Sequence, residues 1–150
     1  MPIPPLNASG FLPPGIHSAT LDEIRAAYGS NIPRSDRCTG LEEFVSLVRG
    51  INLIRYVYVD GSFTTNKAAP DDVDVVIELP MPNTLGGSAQ PLAQLFNEPL
   101  IKSVYHVHPM PVPFGSTSGF VEYFQSERMQ VLQTLKLPKS FRKGILRVSV

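Results

Sequence analysis

Val57-Tyr58-Val59-Asp60-Gly61-Ser62, then nine residues, then Asp72-Val73-Asp74-Val75-Val76-Ile77 is the stretch that decides how this chain folds. Leu53 to Val59 is rich in β-branched and aromatic residues and runs into the turn-forming Asp60-Gly61-Ser62, which predicts a strand ending there. Asp72 to Leu79 alternates carboxylate with Val or Ile and stops at Pro80, which predicts a second strand. A polar connection joins the two, so a sheet lies at the middle of the chain.

Upstream, Thr20 and Glu23 stand three apart ahead of an apolar pattern, as in a capping box, and Gly29 supplies a stop, which predicts a helix over 21–28. After a turn at Asn31 to Ser35, the residues Leu41, Phe44, Val45 and Val48 recur at helical spacing as far as Gly50. They predict a second helix over 36–49. Downstream, 80–91 reads as a loop around Gly86-Gly87, and 92–103 as a helix that Pro99 breaks or kinks. Val104 to His108 reads as a third strand, which Pro109, Pro111 and Pro113 keep from continuing as an interior one. A loop over 115–119 leads to a helix carrying Phe120, Phe124, Val131, Leu132 and Leu135. Ile145 to Val150 alternates, which predicts a final strand with Leu146, Val148 and Val150 on one face. The mixture predicts an α+β fold in one domain over 1–150, a small mixed β-sheet with flanking helices gathered on one side.

Composition narrows the classes of function. The chain has 150 residues of which 15 are proline, about twice the usual ~5% share, so turns are frequent. A chain of this length buries roughly 70% of its unfolded surface, and 43% hydrophobic residues suffice for one core. Cys38 is the only cysteine, which excludes an internal disulfide framework and fits a reducing, cytoplasmic setting. Thirteen basic residues balance thirteen acidic ones, so no net basic field draws nucleic acid, although a local basic patch remains open. No run approaches 18 apolar residues, so no membrane span is expected. Met1 to Pro14 holds Pro2, Pro4, Pro5, Pro13 and Pro14 and lacks the basic start and apolar run of a signal peptide. It reads as an extended arm, packed over a core edge or reaching for a partner.

Side chains two apart on a strand point the same way, so Asp72 and Asp74 project together while Val73 and Val75 face the opposite side. Paired carboxylates on a rigid strand suit Mg²⁺, which takes hard oxygen ligands and completes its shell with water and substrate phosphates. Gly61 lets the backbone approach a phosphate and Ser62 offers a hydroxyl. Each signal alone has a plainer reading, since Gly-Ser is a common turn and Asp-x-Asp a common solvated edge. Together at this spacing they outline a nucleotide site with metal on one side and phosphate on the other.

Gly-Ser, nine residues, then Asp-hydrophobic-Asp-hydrophobic between two strands resembles the signature of the polymerase-β-like nucleotidyltransferase superfamily. The chain resembles above all its minimal nucleotidyltransferase-like bacterial proteins, through Leu12-Pro13-Pro14-Gly15-Ile16-His17, Val59-Asp60-Gly61-Ser62-Phe63, Lys67, Asp72-Val73-Asp74 and Lys143-Gly144-Ile145. The resemblance implies that Gly61 and Ser62 hold nucleotide phosphates and that Asp72 and Asp74 bind divalent metal, Mg²⁺ or alternatively Mn²⁺. It implies transfer of a nucleotidyl group from a nucleoside triphosphate to a hydroxyl on a protein, RNA or small molecule. Relatives carry a third carboxylate on a neighbouring strand, and here that position looks like His108; Phe63 stands where many active members have arginine. Both departures open an alternative, a binding module that has lost turnover, as one half of a toxin-antitoxin or defence pair. Imidazole suits Zn, Mn, Ni or Fe better than Mg²⁺ and brings no negative charge, so two-metal catalysis is expected to suffer.

Further candidates carry two readings each. His106 lies two residues from His108 and, on a strand, would share its face, so with Asp72 and Asp74 the pair would make a mixed site for one transition metal; otherwise one histidine bonds a carboxylate and the other faces water. Lys67 reaches a phosphate or is a solvated loop charge. Arg34 and Arg37 at a helix entrance are ion-pair partners or a nucleotide clamp. Arg142, Lys143 and Arg147 form a basic strip or lie on the surface. His17 caps or packs against the arm.

Overall fold

The structure is a computed structural model that describes residues 3–150, with the side chains of Thr117, Ser118 and Val121 outside that description. The two expected strands form its centre: β2 (Tyr56–Asp60) and β3 (Val73–Glu78) pair antiparallel, with Val59 opposite Val75 and Asp60 opposite Asp74. β5 (Gly144–Ser149) pairs antiparallel with the other side of β2, and β1 (Gly15–Ser18) lies parallel beyond it. β4 (Val107–Val112) closes the opposite edge, parallel to β3, so the mixed sheet runs β1-β5-β2-β3-β4. An α+β fold is what the chain has.

Strand alternation assigns the faces. Val57, Val59, Val73, Val75, Ile77, Leu146 and Val148 point into the main core, under α1 (Leu21–Tyr28), which adds Ile24, and α2 (Ile32–Ile51), which adds Leu41, Phe44, Val45 and Val48. The helices α3 (Ala89–Gln94) and α4 (Glu98–Tyr105) add Leu92 and Ile101 to the same core. Tyr58, Val76 and Ile145 point the other way and are covered by Phe120 of α5 (Thr117–Gln125). Helices therefore lie on both faces, and the expectation of helices on one side is corrected. Three interior strands carrying apolar side chains on both faces need two covers, because an uncovered face would leave Tyr58, Val76 and Ile145 in water.

Local signals explain the shifted boundaries. α2 begins at Ile32, inside the expected turn, because the Asn31 side chain accepts from the Arg34 amide and Pro33 sits in the first turn, where its missing N–H costs nothing. Pro99 likewise sits in the first turn of α4, so the helix expected over 92–103 is broken, as the proline requires, into α3 and α4. The expected strand over 104–108 is corrected too: α4 runs through Tyr105, His106 is its left-handed cap at φ 55°, and β4 begins at Val107. Pro109 and Pro111 nonetheless lie in β4. Val73 donates to the His106 carbonyl and Leu79 to that of Val112, so even-numbered residues turn their backbone toward β3 and the prolines' nitrogens face the free edge. Of the loop expected over 115–119, residues 117–119 are the start of α5, and a bridge from Ser126 to Arg142 separates α5 from α6 (Met129–Thr134).

The arm packs: Ile3 and Leu6 lie against the core, Phe11 and Leu12 are buried, and the Phe11 ring meets Phe141 with centroids 5.3 Å apart. Its end becomes β1, an edge strand whose short sequence carries no period of its own. A Cβ on Gly144 would lie on the Pro13 carbonyl oxygen, so glycine there is what lets the arm approach β5.

The connection between β2 and β3 is held from below by Arg34, neither an ion-pair partner nor a nucleotide clamp. Its guanidinium, 5% exposed, donates to the backbone carbonyls of Phe63, Thr65 and Lys67 and leans on the rings of Tyr28 and Phe63. Arg37 donates to the Pro70 carbonyl in the same connection. Replacing Arg34 with Met keeps the stem but orphans several buried carbonyls, and urea unfolding is expected to show a loss of about 3 kcal/mol. Unchanged stability would show that water replaces the guanidinium.

Candidate functional site

Register and alternation build the site. Asp60, Asp74 and His108 stand abreast on β2, β3 and β4, so all three side chains leave the sheet on the α5 face, and Asp72, two residues before Asp74, joins them. Beside them the turn after β2 uses Gly61 at φ +82°, and a Cβ on Gly61 would strike the Asp74 carboxylate. Only glycine satisfies both the conformation and the close approach. The result is a cleft of about 780 Å³ that Gly61, Ser62, Lys67, Asp72, Asp74 and His108 all line. Six residues expected to share a site are thus brought to one cleft.

His106 is not among them. As the cap of α4 its backbone is left-handed, which turns it off the strand alternation, and it is exposed. The mixed two-histidine metal site is therefore corrected to a single histidine at the cleft.

Each carboxylate has a cationic or imidazole neighbour. His108 lies between Asp74, 3.4 Å from Nδ1, and Glu98 at the start of α4, 3.3 Å from Nε2. Lys102 approaches Asp72 at 3.5 Å. Lys143, itself buried, stands 3.1 Å from Asp60 and 3.4 Å from Glu127. The Lys143 contact with Asp60 Oδ1 is close but off the hydrogen-bond direction, so that oxygen is buried with attraction and no well-formed bond. Burial pushes the Asp60 carboxyl up, against the pull of Lys143. Burial also raises Asp74, and the charges of Asp72 and Asp60 raise it further against the opposing pull of His108.

That clustering of negative charge bears on metal. Among the described residues no three His, Cys, Asp or Glu side chains are gathered closely enough to enclose an ion. Asp72 and Asp74 instead offer an open, all-oxygen pair on one face, a donor set that fits Mg²⁺ or Mn²⁺ with the rest of the shell taken from water and phosphate. The buried, under-bonded Asp60 oxygen lies next to them.

Asp60, Glu98 and Glu127 are site neighbours to which the sequence pattern assigns no role, and Lys143 is one that it does not place at the site. Asp60 was legible in principle, because antiparallel pairing with a carboxylate-bearing strand puts a turn-preceding acid across from Asp74. Lys143 was read as part of a surface strip and is corrected: it is buried, whereas Arg142 is exposed and Arg147 lies over the Tyr56 ring, 4.7 Å from its centroid. His17 bonds the Pro13 carbonyl at 2.7 Å, a packing role.

A mixed α+β sheet with an acidic cleft at one end of its strands is the class that fold and geometry define. The chain belongs to the family described as Family of unknown function (DUF6932), which it matches over residues 4–149. Comparison with curated proteins found no match, and comparison with solved structures found none.

The raised Asp74 carboxyl has a pH signature. Its ionised form costs the folded state stability, a cost absent below the unfolded-state value of about 3.9 and growing as pH rises toward the raised folded value. Asp74→Asn is therefore expected to raise the Tm of the metal-free protein near neutral pH, with the gain fading as pH falls through about 4. Thermal melts across this range check it, and a lower Tm for the variant at neutral pH would mean that the bond to His108 outweighs the repulsion.

Proposed function

We propose that this chain is a metal-dependent nucleotidyltransferase-like protein that moves a nucleotidyl group from a nucleoside triphosphate to a hydroxyl acceptor. The observation that carries the reading is the set of three carboxylates, Asp60, Asp72 and Asp74, on one sheet face beside the Gly61-Ser62 turn. In such a transfer the acceptor oxygen bonds the α-phosphorus as the bond to pyrophosphate breaks, and the hydroxyl proton passes to a base. Mg²⁺ or Mn²⁺ held by Asp72 and Asp74 would offset phosphate charge. Ser62 and Lys67 face the phosphates, while Gly61 keeps the turn open for them. Asp60 on β2 adds the third negative charge that His108 does not bring, which lessens the weight of the histidine as a departure.

Lys102, His108 and Lys143 beside the same acids favour a second reading, a nucleotide-binding module without turnover, such as one half of a toxin-antitoxin or defence pair. In it Lys102, Lys143 and the His108 ring stand beside the acids where catalytic metal would be needed.

Calorimetry with ATP, with and without Mg²⁺ or Mn²⁺, separates binding from its absence. Binding is expected to need metal and to weaken at least about ten-fold in Asp72→Ala and Asp74→Ala with folding retained. Equal binding by the wild type and both variants would sink the site. Labelled nucleoside triphosphate offered with cell extract then distinguishes the two readings, since only the first predicts metal-dependent label on an acceptor.

A further inference from the structure

We propose that the cleft holds the base of a purine nucleotide by stacking it against Tyr123 and Phe124, and that it selects by ring area without reading base identity. The inference rests on the metal-nucleotide reading above and adds the end of the ligand remote from the carboxylates.

A ladder of rings leads from the sheet to the cleft. Tyr58 meets Phe120 at 5.1 Å between centroids, Phe120 meets Phe124 at 6.3 Å, and Phe124 meets Tyr123 edge-on at 5.0 Å. The inner rings are packed on the second core, so the wall is anchored, yet Tyr123 at its end is 72% exposed and lines the cleft. Tyr123, set edge-on against Phe124 and open to the cleft, offers stacking area at the cost of ordering only two side-chain torsions. Lys67 and Arg128 line the same cleft and, among the described residues, have no carboxylate partner. Free cations, acids and an aromatic wall in one cleft of about 780 Å³ match the phosphates, metal and base of a nucleotide, and the volume is of the right order.

Two of the polar side chains beside the wall are already engaged. Glu127 accepts from the Arg128 amide with one carboxylate oxygen and faces Lys143 with the other, and the Ser126 hydroxyl donates to the Glu122 carbonyl. Among the described residues no Asn or Gln side chain lines the cleft. Among the described residues the amide pair that reads adenine is therefore missing, and Arg128 and Lys67 are left to the phosphates, whereas stacking works on any base because every base has a π-face. The larger purine ring system gains more from it.

The test is calorimetry on the full chain with Mg²⁺, using ATP, GTP, CTP, UTP and inorganic tripolyphosphate as probes. ATP and GTP are expected to bind within about two-fold of each other, both tighter than the pyrimidine nucleotides and tripolyphosphate. Tyr123→Ala is expected to weaken ATP about ten-fold without changing tripolyphosphate, and Tyr123→Phe to retain the affinity. The chain has no tryptophan, so Tyr123→Trp gives a single reporter whose fluorescence ATP should quench and tripolyphosphate should not. Tripolyphosphate binding as tightly as ATP, or Tyr123→Ala leaving ATP unchanged, would overturn the base site while leaving a metal-phosphate site in place. A preference above ten-fold between ATP and GTP would overturn selection by area. Absence of binding by every probe would overturn this inference together with the reading it rests on.

Discussion

The register between the two central strands is the constraint on which everything else depends. With Val59 opposite Val75 and Asp60 opposite Asp74, valines face the main core and carboxylates face the cleft. A slip of one residue would exchange the faces, putting acids under α2 and valines in the cleft, at a desolvation cost no packing could offset. Burial of Val57, Val59, Val73, Val75 and Ile77 therefore fixes the positions of the polar side chains as firmly as it fixes the core. The Arg34 guanidinium reinforces this by tying the connection between the strands to α2 through backbone carbonyls, a tie that is independent of which side chains the connection bears.

The second face is where fold turns into site. Had the helices all lain on one side, the acids would sit on an open, solvated sheet. α5 lays Phe120 on Tyr58, and the segment after it brings Glu127 and Arg128 over the strand ends, converting a flat face into a walled cleft. Lys143 ties that segment to the sheet by standing between Glu127 and Asp60. The same contact partly neutralises the acid it buries, so wall position and site charge are coupled through one ammonium group.

The cleft's electrostatics express a balance left incomplete. Lys102 attends Asp72, His108 stands between Asp74 and Glu98, and Lys143 between Asp60 and Glu127, yet Asp60 and Asp74 remain raised because burial, with added repulsion from neighbouring acids, outweighs these partners. Unrelieved negative charge on a rigid strand favours a cation from solution, while Lys67 and Arg128, unpaired among the described residues, favour an anion.

The sequence by itself determined what repeats locally. β2, β3, β5 and α1 followed from period and capping, and the shared face of Asp72 and Asp74 followed from alternation, because each depends on residues a few positions apart. The Gly61-Ser62 turn was legible for the same reason. What only the tertiary structure decided involves partners distant along the chain. β1 has no pattern of its own and exists because β5 offers it an edge, and His106 left the strand because α4 runs two residues further and needs a cap. Asp60 became a site residue through pairing, Lys143 went from surface strip to buried bridge, and Arg34 became a backbone clamp, since burial is set by what packs above a residue. The covering of the second face by α5 was invisible locally, because an amphipathic helix shows that it must cover an apolar surface and not which one.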